Sequence, residues 1–564
     1  MNTHILKITI LLIVLSQFMA FRLKSQPVIL TVDLSNEIGH MNPIWAMFGY
    51  DEPNYTYMKD GKKLLSEISA LSPVPVFVRV HNILTTDEGE PGLKWGSTNA
   101  YTEDSNGNPI YDWTKVDKIF DTFIERGLKP IVELGFMPKA ISSHPEPYRH
   151  AWPKNPEIGE LSTGWAYPPN DYNKWAGLVT EMTKHCIYRY GQKEVESWYW
   201  EVWNEPDISI YWKGTTEEYF KMFDVAVEAV KNVCPKAQVG GPTTTDPRDE
   251  KAAGFLRAFL EHCQHGTNYT TGKIGSPLDY ITFHCKGAPK LVDGQVQMNI
   301  NLQLQSISKG FEIVSTYPKF KNLPILLGES DPEGCAACSM AGNPSLAYRN
   351  GTMYSTYQAA VFAKTYELAD FYKVNLKGAV TWAFEFENQR WFDGYRDLAT
   401  NGVNKPVLNI YRMYGMMSGK RIEVSGGGYD MKTMIEKGVK GINSDINALA
   451  SKDKSSMAVM VWNYHDNDLP SLASNIELEI IGLPKGKVIV QEYRIDKENC
   501  NSFEVWKKMG SPQNPTQEQI TELEKAGQLK LYTSPEWIKT TTSKTIRKIE
   551  LPRQGVSLLK FSWY

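Results

Sequence analysis

Residues 116–136 read VDKIFDTFIERGLKPIVELGF, and this stretch contains the unit that decides the fold. In residues 116–126 the apolar side chains recur every three or four positions, which is typical of an amphipathic helix, and Gly127 is a helix stop signal. Residues 129–136 form a short apolar run that predicts a buried strand. A helix followed directly by a buried strand is the repeating unit of an α/β fold.

The same alternation continues on both sides of this unit. Strands are predicted at residues 76–80, 198–203, 238–241, 280–284, 323–328 and 378–384, and helices at residues 175–190, 217–233, 255–263 and 352–368. Alternation of this length predicts a (β/α)8 TIM barrel. The alternative is an open doubly wound sheet, but no glycine-rich phosphate loop follows an early strand, which disfavours it.

After residue 414 the pattern changes to strands without long helices between them, at residues 457–463, 476–481, 488–494 and 555–561. Alternating apolar residues within 476–480 indicate one buried face, so a C-terminal β-sandwich accessory domain is predicted. Residues 28–34 alternate too and are expected to join this sandwich. The predicted divisions are residues 1–26 (signal peptide), 27–45 (N-terminal strand), 46–415 (barrel) and 416–564 (sandwich).

The N-terminus carries a targeting signal. Residues 8–15 are an apolar run preceded by Lys7, long enough for the core of a signal peptide and too short to span a bilayer. Cleavage is expected between residues 20 and 26; the alternative is an uncleaved membrane anchor. The first cysteine is Cys186, so no thiol near the signal accepts a lipid. We expect a secreted or periplasmic protein with no membrane span after cleavage.

The composition of the 564 residues is that of a soluble globular protein, with 42% hydrophobic and 22% charged residues. A net charge of −3 without a long basic run gives no reason to expect nucleic acid as a partner. Sixteen Trp and 29 Tyr suit sugar binding, although aromatic residues are equally core material. The seven cysteines are not a disulfide framework. Cys335 and Cys338 are read as a local disulfide or two loop thiols rather than a metal or redox site.

Two predicted strands end in glutamates. Residues 198–207 read WYWEVWNEPD and contain Glu205, and residues 326–332 read LLGESDP and contain Glu329. Catalytic groups of a βα barrel lie at the carboxyl ends of its strands. Two carboxyl groups over one mouth meet the requirement of glycoside hydrolysis, in which one is protonated and the other ionised. Proximity itself raises one pKa, because two like charges resist double ionisation.

Several segments resemble one known family. Residues 200–207 (WEVWNEPD) resemble the acid/base signature of glycoside hydrolase family 39, the family of β-xylosidases and α-L-iduronidases. Residues 111–114 (YDWT) and 126–138 (RGLKPIVELGFMP) resemble the same family, and residues 493–496 (YRID) with 506–512 (WKKMGSP) resemble its C-terminal sandwich. The similarity covers almost the whole chain after the signal. Asn-Glu-Pro alone occurs in many barrel glycosidases, whereas this combination is specific.

The resemblance implies a retaining exo-glycosidase that hydrolyses terminal glycosidic bonds of oligo- or polysaccharides, with Glu205 as acid/base and Glu329 as nucleophile. It implies sugar contacts by the following residues: His81, Asn204, His284, Trp382, and Glu385 or Glu387. A metal-dependent hydrolase would need a His/Asp cluster at the strand ends, and only His81 and His284 qualify. We therefore expect no metal and no cofactor. A carbohydrate-binding barrel without catalysis is the other alternative. It predicts that one of the two strand ends lacks its carboxylate, whereas both carboxylates are present.

The sequence leaves open which terminal sugar is cleaved, because different segments resemble two branches of the family. Xylose and iduronic acid share their configuration at C2, C3 and C4, and differ by a carboxylate that needs a cation in the site. Residues 265–272 (HGTNYTTG) and 279–287 (DYITFHCKG) resemble the iduronidase branch, in which the lysine matching Lys286 contacts that carboxylate. Arg396 is a second candidate contact. The region 111–138 resembles the xylosidases instead, and β-galactosidase or α-L-arabinopyranosidase specificity also stays open, as does the oligomeric state.

Overall fold

The computed structural model describes residues 26–563 except for 72, 88, 90–95, 148, 152–159, 163, 336, 384, 386 and 542–543. Residues 1–25 of the predicted signal peptide therefore lie outside the described residues. Among the helices that are described, none is long and apolar enough to cross a bilayer.

The first sheet is a closed parallel barrel of eight strands, which confirms the predicted fold class. Barrel strands 1 to 7 are Met47–Tyr50, Val76–Val80, Leu128–Leu134, Tyr199–Val202, Gln238–Thr244, Tyr280–His284 and Pro324–Glu329. Barrel strand 8 has two parts on either side of Val380, Asn375–Ala379 and Thr381–Trp382. Its first part pairs with strand 7, and Thr381 pairs with Phe48 of strand 1, so the eighth strand closes the ring.

A helix follows every barrel strand. These helices are Lys59–Ser69, Thr114–Ile124, Tyr172–Tyr190 with the short Gln192–Val195, Thr216–Val233, Glu250–His265, Ile300–Ser315, Thr352–Tyr372 and Pro406–Tyr414. Local sequence explains their ends. Thr215 and Glu218 form a reciprocal capping box at one helix start, and Gly191 adopts a φ of +87° where another helix stops. Among the described loop residues, three segments form 3-10 helices, Pro53–Tyr55, Lys139–Ile141 and Pro344–Asn350.

In the described part of the chain, four two-stranded antiparallel sheets lie in the barrel loops. They are Tyr101–Glu103 with Pro109–Tyr111, Arg149–Ala151 with Glu160–Ser162, Lys290–Val292 with Gln295–Gln297, and Ala399–Thr400 with Val403–Asn404. The last of these belongs to the segment after strand 8, which also carries Arg396.

The second sheet has nine strands and is mostly antiparallel. In hydrogen-bonding order they are Glu536–Thr540, Gly486–Ile495, Gly555–Trp563, Ser456–Tyr464, Asp445–Lys452, Lys420–Ser425, Val28–His40, Ser474–Ile481 and Lys544–Leu551. The N-terminal strand pairs antiparallel with Lys420–Ser425 and parallel with Ser474–Ile481. Strands from both ends of this order share one apolar cluster, so the sheet curls over on itself as a sandwich.

The C-terminal region contains helices that the sequence reading did not predict, Met431–Lys437, Ser502–Lys508 and Gln517–Gly527. The segment 506–512, read as part of the sandwich, begins inside the second of them. The barrel and the second sheet also share a core. One apolar cluster extends from the barrel helices to Met460, Trp462 and Leu558 of the second sheet, which fixes the two units against each other.

Candidate active site

Glu205 and Glu329 meet at the carboxyl ends of barrel strands 4 and 7. An oxygen of one carboxylate lies within 4.8 Å of an oxygen of the other, and a ring nitrogen of His284 lies within the same range. Glu329 is the last residue of its strand, and Glu205 lies three residues beyond Val202. Both side chains are almost fully buried. The two glutamates chosen from their positions at strand ends are therefore brought together.

The backbone that presents Glu205 is strained. Trp203 has a φ of +73° and Glu205 a φ of +47°, both in the left-handed region that side chains other than glycine rarely adopt. The Glu205 amide donates to Thr243 O at 2.9 Å, which ties the turn to strand 5. Conformations of this kind typically cost about 1–3 kcal/mol each and cluster at functional sites, where the surroundings enforce them.

Cations surround Glu329. Lys286 Nζ lies 2.6 Å from its Oε2, and Nη1 and Nη2 of Arg396 each lie 3.2 Å from the same oxygen. On the other side, Arg79 Nη1 is 3.6 Å from Oε1. Burial opposes ionisation, but Lys286, His284 and the two arginines outweigh it and hold the pKa of Glu329 well below its usual range. Glu329 is therefore an ionised carboxylate.

Glu205 has fewer cationic neighbours. His284 Nδ1 lies 2.8 Å from its Oε1, and Lys286 Nζ lies 3.6 Å from the same oxygen. Burial and the charge of Glu329 raise the pKa of Glu205. Lys286 and His284 lower this pKa by a larger amount, so the net shift is to below the usual value. The pKa of Glu329 is displaced further downward than that of Glu205. When the pair holds one proton, physical reasoning therefore places that proton on Glu205.

Arg79 organises the floor of the barrel mouth, and the sequence reading did not choose it. Besides Glu329, its guanidinium contacts four side chains: Glu201 Oε1 at 2.6 Å, Glu133 Oε2 at 2.8 Å, Asn204 Oδ1 at 2.9 Å and His81 Nε2 at 2.5 Å. Burial raises the pKa of Glu133 well above its usual range, although Arg79 acts in the opposite direction. An arginine inside the apolar run 76–80 was the signal that could have identified it.

His81 and Trp382 stand beside this network. His81 Nδ1 lies 3.2 Å from Asp51 Oδ1, and its ring meets the Trp382 ring edge-on at a centroid distance of 5.0 Å. The guanidinium of Arg396 lies 4.8 Å from the centroid of the same indole. Trp382 is only 1% exposed. In this arrangement Trp382 supports the residues that line the pocket.

One pocket contains the glutamate pair and four of the predicted sugar contacts. It is lined by the predicted residues His81, Asn204, Glu205, Lys286, Glu329 and Arg396, together with Asp51, Ile208, Ile210, Tyr211, Glu333, Gly334 and Cys335. The second group was missed because its members lie in loops beyond the strand ends, where no periodicity indicates which side chains turn inward. His284 contacts the pair from the pocket wall.

Glu385 and Glu387 do not join this group. Glu385 Oε1 accepts a hydrogen bond from Gly402 N at 2.7 Å, and the residue lines a separate small pocket with Tyr55 and Leu64. Glu387 Oε1 accepts one from Asp60 N at 2.7 Å, at the start of the helix Lys59–Ser69. Its carboxylate therefore serves as an acceptor for a helix N-terminus.

The loop after strand 7 forms one side of the pocket. Cys335 and Cys338 are joined by a disulfide, which decides between the two readings of that pair. Glu333 Oε2 accepts from Cys335 N at 2.9 Å and from Arg349 Nη2 at 2.8 Å. Gly334 O accepts from Arg396 Nη1 at 2.8 Å, so this loop is tied to a cation of the site.

The group Glu205, His284 and Glu329 has the spacing that would let it hold a metal ion. The same oxygens, however, face the Lys286 ammonium, and Glu329 also faces the Arg396 guanidinium. These cations already neutralise the carboxylates and would repel a divalent ion. The arrangement fits a charged carboxylate pair better than a metal centre.

Comparison with known proteins places this site in a family. The family model described as "Glycosyl hydrolases family 39" matches residues 29–542. A β-xylosidase of Caldicellulosiruptor saccharolyticus is 26% identical over 510 residues, covering 89% of this chain and 92% of that protein. An α-L-iduronidase of Mus musculus is 23% identical over 533 residues, covering 88% of this chain and 75% of that protein.

Solved structures show the same fold. A crystal structure of a GH39 enzyme from Xanthomonas axonopodis pv. citri superposes with a TM-score of 0.73 at 19% identity, covering 97% of this chain and 99% of that one. The barrel and the second sheet are therefore shared as one architecture.

Proposed function

The chain belongs to glycosyl hydrolase family 39, and from this we propose that it removes a terminal sugar with retention of configuration. It is a glycoside hydrolase. In the proposed mechanism Glu205 is the acid/base and Glu329 is the nucleophile. Its substrate is the non-reducing end of an oligo- or polysaccharide.

The observation that carries this proposal is the separation of the two carboxylates. Their oxygens approach within 4.8 Å. Inverting enzymes hold the pair about 6.5–9.5 Å apart to admit a water molecule, whereas retaining enzymes hold it at about 5–5.5 Å. The short separation supports direct attack on the anomeric carbon.

The relative pKa values of the two glutamates support their roles, because the pKa of Glu329 is lowered further than that of Glu205. Glu329, ionised by its cationic neighbours, attacks the anomeric carbon and forms a glycosyl ester. Glu205 gives its proton to the departing oxygen. In the second step Glu205 takes a proton from water, the water oxygen attacks the same carbon, and the Glu329 carboxylate is released. Each step inverts the configuration, so the product retains it.

Asn204 is suited to hold the sugar beside the nucleophile. Its Oδ1 accepts from Arg79 Nη2 at 2.9 Å, which directs the amide NH2 group away from Arg79. We propose that this NH2 group donates to the 2-hydroxyl. His81 lines the same pocket and is the proposed contact for a second ring hydroxyl. Hydrogen bonds to the 2-hydroxyl that strengthen in the transition state typically contribute several kcal/mol.

For the sugar, we propose a terminal uronic acid of the α-L-iduronide type. Lys286 and Arg396 both line the pocket, and a carboxylate at C5 would meet a charge-assisted partner there. A second candidate is a neutral pentose such as β-D-xylose. It is favoured by the ion pairs of Lys286 with Glu329 and of Arg396 with Asp331, which already satisfy both cations. Named relatives include enzymes of both kinds.

A substrate screen tests the proposal. The purified protein is assayed on chromogenic α-L-iduronide, β-D-xyloside, β-D-galactoside and α-L-arabinopyranoside, and the anomer first released is identified by proton NMR. We expect the highest kcat/KM on the iduronide and retained configuration. Highest efficiency on the xyloside would support the second candidate. An inverted product would contradict the roles of Glu205 and Glu329, and no turnover on all four would favour a non-catalytic carbohydrate-binding barrel.

We also propose that the protein is exported to the periplasm or the exterior. This rests on the apolar run 8–15 and on the small and polar residues that follow it. N-terminal sequencing of the protein from cell fractions tests it. A mature N-terminus between residues 20 and 27 in the soluble exported fraction is expected, whereas an intact Met1 in the membrane fraction would indicate an anchor.

A further inference from the structure

Asp331 is a buried carboxylate two residues beyond Glu329, and the mechanism above does not use it. Its Oδ2 contacts Arg396 through Nε at 3.1 Å and through Nη2 at a shorter distance. Oδ2 also accepts from the backbone N of Trp382 at 3.2 Å, and Oδ1 accepts from the Tyr354 hydroxyl at 2.8 Å. Both oxygens are therefore occupied, and one of them is directed at a residue of the pocket.

The backbone between Glu329 and Asp331 is held on both sides. Cys285 N donates to Glu329 O at 2.8 Å, and Ser330 N donates to Val380 O at 2.8 Å. Gly287 N donates to Asp331 O at 3.2 Å. Because the adjoining barrel strands hold this segment, the two carboxylates stand in a fixed relation to each other.

Arg396 bridges these carboxylates. Asp331 holds its Nε and Nη2 edge, while Nη1 and Nη2 approach Glu329 Oε2 at 3.2 Å. The guanidinium also lies over the Trp382 ring. An arginine side chain has considerable rotamer freedom, and a carboxylate held along one edge of its planar fork removes much of it. Arg396 lies in the loop after barrel strand 8, outside any strand or helix, so its side chain depends on such contacts for its direction.

We propose that Asp331 is a positioning residue for this reaction, which orients Arg396 so that its guanidinium supports the nucleophile and faces the bound sugar. The inference rests on the proposed function for the role of Glu329. It adds a residue that touches neither the substrate nor the reacting atoms and acts through Arg396.

Two opposite effects of Asp331 on Glu329 distinguish this proposal from a simple charge effect. The negative charge of Asp331, acting through space, raises the pKa of Glu329. Its hold on Arg396 lowers that pKa, because it keeps a cation against the carboxylate. Removing the charge while Arg396 stays in place would therefore lower the pKa of Glu329, and releasing Arg396 would raise it. Besides Asp331 and Arg396, the charged or titratable groups that act on Glu329 within the described part of the chain include Arg79, His81, Glu133, Glu205, Tyr211, His284 and Lys286.

The test is the substitution Asp331→Asn, read from the low-pH limb of the kcat/KM profile, which reports ionisation of the free nucleophile. We expect this limb to move to higher pH and kcat/KM at neutral pH to fall about tenfold or more, the loss typical of one charge-assisted contact. Asp224→Asn is the matched control, because Asp224 is also buried and contacts His262 at 3.1 Å and Tyr269 N at 2.8 Å, outside the pocket. That variant should leave the limb unchanged.

A double-mutant cycle with Arg396→Met tests whether Asp331 acts on Glu329 through Arg396. Arg396→Met alone should move the limb upward, and adding Asp331→Asn should move it no further upward or return it partly, because only the through-space charge of Asp331 is then left to remove. A downward movement in Asp331→Asn, or two effects that add, would overturn the positioning role. If Asp331→Asn does not fold, Tyr354→Phe releases the other oxygen of Asp331 and should move the limb in the same direction by a smaller amount. An unchanged or downward-shifted limb there would count against the proposal.

A readout without turnover separates this inference from the proposed function. Glutamate labelled with 13C at Cδ reports the titration of Glu329 directly, with the signal assigned through Glu329→Gln. Should the wild-type protein hydrolyse none of the four glycosides, the proposed function fails, yet an upward shift of this titration in Asp331→Asn still supports positioning. An unshifted or downward-shifted titration in an active enzyme refutes only the positioning role.

Discussion

The Lys286 ammonium lies 2.6 Å from Oε2 of Glu329, and it also reaches Oε1 of Glu205 at 3.6 Å. One cation thus serves both carboxylates. In the proposed glycosyl ester Glu329 loses its charge, so Glu205 keeps the attraction of Lys286 and no longer feels the repulsion of a neighbouring anion. This loss of repulsion lowers the pKa of Glu205 at the stage where it must act as a base.

The pH profile should report this shared cation. The low-pH limb of kcat/KM follows ionisation of Glu329, and the high-pH limb follows loss of the proton from Glu205. Because Lys286 lowers the pKa of both groups, Lys286→Met should move both limbs to higher pH. Lys309→Met is the control, since Lys309 pairs with Glu312 on the outer helix Ile300–Ser315 and should leave the profile unchanged. Movement of one limb alone would show that Lys286 acts on only one carboxylate.

Azide rescue should identify the two roles. In Glu329→Gly, azide can occupy the place of the nucleophile, so rescue should give the glycosyl azide of inverted configuration. In Glu205→Ala, kcat should fall about 10²–10⁴-fold on substrates with poor leaving groups, the usual contribution of acid/base catalysis, and azide should give the retained product. NMR of the products decides, and exchanged outcomes would reverse the assignment. Azide should change neither rate nor product in Glu387→Gln, whose carboxylate lies at a helix N-terminus.

Lys286→Met should also discriminate between substrates. If Lys286 contacts a C5 carboxylate, the variant loses a charge-assisted bond of about 1.5–3 kcal/mol on an iduronide but not on a xyloside. We therefore expect the ratio of kcat/KM for iduronide over xyloside to fall about ten- to a hundredfold. The ratio cancels any effect on the catalytic pair common to both substrates. An unchanged ratio would remove the case for uronate recognition and favour the xylosidase-type reading.

Arg79→Met should destabilise the barrel. It leaves Glu133 and Glu201 buried without their cation, and breaking a buried ion pair typically costs about 3–5 kcal/mol. Burial already raises the pKa of Glu133, and loss of the Arg79 charge would raise it further, so the folded state would bind a proton over a wider pH range than the unfolded chain. The deficit in the free energy of unfolding should therefore shrink as the pH falls from neutral, and denaturant unfolding at several pH values measures it.

The control for this prediction is Arg189→Met, which removes an arginine at the surface. Arg189 is 40% exposed in its side chain and pairs with Asp121 at 2.5 Å. Exposed pairs of this kind contribute about 0–1 kcal/mol, so this variant should stay close to wild type. If Arg79→Met lowered the free energy of unfolding by as little as Arg189→Met, the buried network would not support the fold.

Local sequence patterns predicted the barrel fold and seven of its eight strands, but not the strand Met47–Tyr50 or the helices Lys59–Ser69, Ile300–Ser315 and Pro406–Tyr414. The helix predicted at residues 116–126 is observed at Thr114–Ile124, and the predicted strand 129–136 is observed at Leu128–Leu134. These elements bury one face or both faces against their neighbours, so the spacing of their apolar residues predicts them. Short C-terminal helices such as Ser502–Lys508 were not predicted, because seven residues are too few for a clear helical period.

The pairing of Glu205 with Glu329 was also predictable from sequence, because parallel strands bring their carboxyl ends to one edge. Tertiary structure alone decided which loop residues face that edge. Glu385 and Glu387 lie after the last barrel strand, yet they accept bonds from Gly402 and Asp60 instead. Asp331 became visible only through partners distant in sequence, whereas Arg79 stands out in the sequence as an arginine inside an apolar strand. A strand has a period of two that orients its side chains, whereas a loop has none, and its side chains take their direction from contacts that exist only after folding.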